Sequence, residues 1–152
     1  MEVMFDSNVF DKILSGEIPL EKIKKPTIIV YVTHIQLDEI NQIPDNKLTP
    51  DGHSKKTELF KIIRNADAHK IPTEGFCVGT SRIGYAKIID KKDIPTIEEI
   101  QKKTGNNSKD ALIGLTSLKN NLILVTADLK LHKCISNLNG KAILADKFIE
   151  ML

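Results

Sequence analysis

Four carboxylates occupy positions from which a folded chain can gather them for chemistry: Asp6, Glu39, Asp110 and Asp128. Asp6 follows the apolar run Val3 to Phe5, and Asp128 follows the run Leu122-Ile123-Leu124-Val125 after Thr126 and Ala127. Asp110 opens a helical segment, and Glu39 lies about one and a half turns into another. Brought to about 4 Å, two such charges repel by roughly 4 kcal/mol at an effective dielectric near 20. A divalent cation removes that cost, and an all-oxygen donor set suits Mg²⁺ or Mn²⁺. Each acid also has a plainer role. Asp6 and Asp128 suit helix N-caps, Asp110 suits a first turn facing the helix dipole, and Glu39 suits an exposed helix face. Asp38 competes with Glu39 for the second position. Glu39 is preferred because it shares a helix face with Ile35 at i+4 spacing and so points inward.

The elements that would position these acids alternate in type. Short apolar runs at Val3–Phe5, Thr27–Val32, Leu122–Val125 and Ala142–Leu144 predict buried strands. Between them, helices are expected at Ser7–Leu14, His34–Ile43, Ser54–His69, Ile97–Lys103, Lys109–Lys119 (capped by Ser108) and Leu129–Ser136, with a last helix closing the chain. Strands separated by helices predict an α/β fold with a central, mostly parallel sheet. The middle differs: Gly75–Gly79 and Ile83–Ile89 predict an extra β-hairpin turning at Thr80-Ser81-Arg82. In parallel sheets ligands collect at the carboxyl ends of the strands, which is where Asp6 and Asp128 would stand.

Length and composition set the frame. One domain over residues 1–152 is expected, with 41% hydrophobic and 28% charged residues, as in an ordinary globular protein. No apolar run approaches the roughly 20 residues of a membrane span, and Met1–Asp6 lacks a basic region before an apolar stretch, so a cytoplasmic location without membrane association is expected. Cys77 and Cys134 are far apart and predict two reduced thiols in or near the core; neither they nor His34, His53, His69 and His132 have zinc spacing. The net charge of +2 is too small to argue for nucleic acid by itself. Basic groups at Lys22, Lys24 and Lys25, at Lys55, Lys56, Lys61 and Arg64, and at Lys130 and Lys133 are read first as solvated helix faces. A Gly-x-Ser-x-Gly elbow and a Walker-type phosphate loop are both missing from the sequence.

Four segments together resemble the PIN-domain family: Phe5-Asp6-Ser7-Asn8-Val9, Leu37-Asp38-Glu39-Ile40, Ser108-Lys109-Asp110-Ala111-Leu112-Ile113-Gly114 and Leu124-Val125-Thr126-Ala127-Asp128. They match the family's Asp-x-Asn after the first strand, Glu before an aliphatic residue, Asp opening a helix, and Thr-x-Asp after the next strand. They run in the family's order and span nearly the whole chain, with Asp110 and Asp128 separated by 18 positions. The strand-like middle departs from the helical middle of small members.

The resemblance implies a three-layer sandwich and a metal-dependent ribonuclease. Asp6, Asp110 and Asp128 would hold Mg²⁺ or Mn²⁺, with Glu39 binding directly or through water, and Asn8 and Thr126 orienting ligands or water. In-line attack by water on RNA would leave a 5′-phosphate and a 3′-hydroxyl. Many small members are VapC-type toxins that form homodimers and are inhibited by an antitoxin protein; others process RNA or cut structured DNA. A PIN-like scaffold that only binds, and an unrelated α/β binding module whose acids merely cap helices, are the non-catalytic alternatives.

Overall fold

The computed structural model describes residues 1–77 and 79–152. In it a five-stranded sheet is built from β1 (Glu2–Phe5), β2 (Ile29–Val32), β3 (His69–Lys70), β6 (Ile123–Thr126) and β7 (Ala142–Leu144). The strand order is β3-β2-β1-β6-β7 and every pairing is parallel. A separate pair, β4 (Thr73–Glu74) and β5 (Ala86–Lys87), stands apart from it.

The three layers follow from the period of two along each strand. Val3, Phe5 and Val125 belong to one apolar cluster, while Met4 and Leu124 belong to the other. The first cluster is completed by α1 (Ser7–Leu14), α3 (His34–Asn41), α4 (Lys55–Asn65) and α8 (Ala145–Met151), with the short α2 (Leu20–Ile23) at its margin. There Phe5 meets Phe10 and Phe148 edge to face at centroid separations of 5.7 and 5.6 Å. The opposite face is covered by α5 (Ile94–Lys103), α6 (Ser108–Lys119) and α7 (Leu129–Asn137). A sheet apolar on both faces is what the continuous apolar runs of β1 and β6 require.

Three expectations need correction. The helix expected over Ser54–His69 ends at Asn65, because Asp67 turns into the left-handed region at φ 51°. His69 and Lys70 then form β3, paired with Tyr31 and Val32. Both are exposed and polar, so no apolar run marks this edge strand. The cap of α6 is Asn107, whose Oδ1 accepts from the backbone N–H groups of Lys109 and Asp110 at 3.0 and 3.4 Å. Ser108 is already inside the helix and shares a 3.0 Å hydroxyl contact with Thr80.

Among the described residues the β-hairpin expected in the middle segment is not formed. Thr73 and Glu74 pair in parallel with Ala86 and Lys87, and residues between them cross over. Thr80 and Ser81 both donate their backbone N–H to the Cys77 carbonyl, at 3.1 and 2.9 Å, and this tight turn stops a strand there. The apolar side chains that suggested strands are largely outside: Ile83 and Ile88 are 93% and 94% exposed. The part of the expected first strand at position 78 lies outside the described residues.

Candidate functional site

β1 lies at the middle of the sheet, and the chain leaves it towards β2 and β3 on one side before returning to β6 and β7 on the other. The gap between the carboxyl ends of β1 and β6 is therefore a topological switch point, the usual place for a ligand in such a sheet. Asp6 and Asp128 stand on its two sides.

Asp6 is the N-cap of α1 and is almost fully buried. Its Oδ1 accepts the Ser7 backbone N–H at 2.7 Å. Its Oδ2 accepts the Asn8 side-chain amide at 2.6 Å and the Thr126 hydroxyl at 2.7 Å. Thr126 in turn accepts the Asp128 backbone N–H at 3.0 Å, and Asn8 Oδ1 accepts the Ala127 backbone N–H at 2.9 Å. Asn8 and Thr126 thus stitch the loop after β6 to the loop after β1, with the Asp6 carboxylate as the shared acceptor. Burial pushes the Asp6 carboxyl above the usual carboxylate range; the bonds from Thr126, Ser7 and Asn8 oppose that rise and the Glu39 charge adds to it.

Asp128 caps α7, with Oδ1 accepting from Lys130 and Leu131 at 2.6 and 3.1 Å. Capping occupies that one oxygen and fixes the direction of the carboxylate. Glu39 reaches across from α3, accepts the Ser7 hydroxyl and lies 3.3 Å from Lys109 Nζ. Its neighbour Asp38 turns away to Arg82, 2.7 Å from the guanidinium. Asp110 sits in the first turn of α6, half-buried. Its carboxyl is pushed up to about 7, first by burial and then by the charges of Asp6, Asp128 and Glu39, with Asn107 opposing.

The charges of the other three acids thus act on Asp110, that of Glu39 acts on Asp6, and Asp6 and Asp128 also cap helices. Among the described residues, no three His, Cys, Asp or Glu side chains are grouped closely enough to hold a metal ion as they stand. The donor set matches a hard divalent cation in element and charge: oxygen atoms only, on carboxylates whose charges add to the effect of burial on Asp110.

Sequence reasoning did not single out Lys109 and Arg82, which the fold places beside these acids. Their signal was faint: Lys109 adjoins Asp110, and Arg82 falls in the expected hairpin turn. Of the basic residues that were noted, Lys55, Lys56 and Lys61 are taken up by Asp11, Asp45 and Glu58, each at 2.7 Å. Cys77 and Cys134 are free thiols, half-buried and buried. Among the described residues no helix is long and apolar enough to cross a membrane. In comparison with known proteins, no family model matches the chain, and no curated protein matches it either.

Proposed function

We propose that this chain is a PIN-like, divalent-metal-dependent endoribonuclease with its site at the gap between β1 and β6. The observation that carries the reading is the Asp110 carboxyl, held at about 7 beside three other acids from three distant segments. Perturbed acids at a switch point are an expensive arrangement that a ligand cation would relieve.

Asp6, Asp110 and Asp128 would hold Mg²⁺ or Mn²⁺, with Glu39 joining directly or through water. Such an ion supplies a water of lowered pKa and neutralises charge on the phosphate. The protein's own part is positional. Asn8 and Thr126 aim Asp6, the α7 cap aims Asp128, and Ser7 with Lys109 holds Glu39 towards the other acids.

The test is cleavage of a labelled single-stranded RNA with Mn²⁺ or Mg²⁺, against an EDTA control. Asp110→Asn and Asp128→Asn are the variants of choice, because asparagine keeps the shape of both side chains and still caps α7 at position 128. Metal-dependent cutting by the parent chain, lost in both variants, is the expected result. A folded chain that neither cuts RNA nor gains thermal stability from Mn²⁺ would sink the reading in favour of a non-catalytic scaffold.

A further inference from the structure

Beside the acids, between α3 and residues 79–82, lies a cleft of about 280 Å³. Asp38 and Gln42 line it from α3, Thr80, Ser81 and Arg82 from the crossover, and Lys109 from the first turn of α6. Two cations against one carboxylate leave this lining net positive, in a region otherwise dominated by acids. Both cations are held in direction by carboxylates: Arg82 by Asp38 at 2.7 Å and Lys109 by Glu39 at 3.3 Å. Neither is used up. A guanidinium has five N–H donors, more than the one carboxylate of Asp38 can take up, and the Arg82 side chain stays 58% exposed. Lys109 is also open to water, at 36%. The hydroxyls of Thr80 and Ser81 and the Gln42 amide add neutral hydrogen-bonding groups to the same walls.

Lys109 links the cleft to the acid edge directly, since it precedes Asp110 and pairs with Glu39. Lys109 thus belongs both to the acid edge and to the cleft wall, and a polyanion engaged at the acids would meet it on the way to Arg82. We propose that Arg82 and Lys109 form a phosphate subsite that takes the backbone of single-stranded RNA next to the acids. The proposal rests on the ribonuclease reading for the identity of the polyanion. The ion pair with Asp38 then has a definite meaning: it aims Arg82 while the cleft is empty, and it competes with the phosphate when RNA arrives.

The experiment is fluorescence anisotropy of a fluorescein-labelled single-stranded RNA with the full chain in EDTA, over a series of salt concentrations. Arg82→Ala and Lys109→Ala should each weaken binding several-fold and flatten the plot of log affinity against log salt by about 0.7, the slope of one phosphate contact on a single strand. Arg82→Lys should keep that slope. Asp38→Asn should tighten binding, because it removes the competitor. A pair that merely pins the crossover to α3 predicts something else: Arg82→Ala and Asp38→Asn break it equally and shift binding in the same direction. That outcome, an unchanged salt slope, or no RNA binding by the parent chain overturns the subsite. Cleavage is scored separately. Metal-dependent cutting with unchanged RNA affinity in the Arg82 and Lys109 variants removes the subsite and leaves the nuclease. The expected binding pattern without any cutting removes the nuclease and leaves a phosphate-binding cleft.

Discussion

The Thr126 hydroxyl donates to Asp6 Oδ2 at 2.7 Å, joining residues 120 positions apart across the gap between two parallel strands. Both groups are buried, so the bond is made where water offers no substitute. Replacing Thr126 by Val keeps the shape and removes both this donor and the acceptor of the Asp128 backbone N–H. A lost hydrogen bond to a charged group costs about 1.5–3 kcal/mol. Thr126→Val should therefore lower the unfolding free energy by an amount in that range, read as a lower urea midpoint at unchanged m-value, whereas an unchanged midpoint would mean the contact contributes nothing.

Asp110 gives stability a definite pH dependence. Its carboxyl titrates at about 7 in the fold and at 3.8 when unperturbed. Between those values the folded chain keeps a proton that the unfolded chain has released, so this group's contribution falls as pH rises through that window. In EDTA the melting temperature of the parent chain should fall more between pH 5 and pH 8 than that of Asp110→Asn. Mn²⁺ should raise it more at pH 8 than at pH 5, because the ion competes with that proton. Equal pH slopes in the two proteins would count against a perturbed Asp110.

The cap of α6 separates two adjacent residues. Asn107 accepts two backbone N–H groups, while the Ser108 hydroxyl contacts only Thr80 among the described residues. Asn107→Ala should cost about 1 kcal/mol. Ser108→Ala should stay within about 0.5 kcal/mol of the parent chain, as surface changes away from special features do. Chemical denaturation of the two variants side by side checks the order.

Of the glycines, Gly140 leaves the least room for a side chain. A Cβ placed there would stand 2.6 Å from Ile135 Cγ2 and 3.0 Å from the Ile135 carbonyl, besides overlapping Leu118. The carbonyl cannot rotate aside as a side chain can. Gly140→Ala should cost about 1–3 kcal/mol, typical of overpacking, with a matching drop in thermal stability; a neutral result would mean that the turn shifts freely.

Much of this arrangement is legible in the sequence, for a physical reason. The four short apolar strands and the helices between them carry clear signals, and they fix a parallel sheet whose carboxyl edge receives Asp6 and Asp128. Glu39 and Asp110 follow because each lies within two turns of a strand or helix boundary. What escaped depends on contacts that no local pattern encodes. β3 is two polar residues paired through backbone alone. The 73–87 crossover holds apolar residues outside the core, so its alternation imitates strands. Arg82 and Lys109 acquire their place only when that crossover lies against α3 and α6. Asn8 and Thr126, expected to orient ligands or water, both donate to the Asp6 carboxylate.

The pairing of β1 with β6 has a consequence for the order of synthesis. Val3, Met4 and Phe5 find their partners in Ile123, Leu124 and Val125, so β1 is made long before the strand that pairs with it. Parallel contacts of such long sequence separation form late. At translation rates of roughly 5–20 residues per second, Asp6 waits on the order of ten seconds for Thr126 to leave the ribosome. The nascent chain spends that interval with its acids apart, and the charged edge comes into being only once the sheet closes around its oldest strand.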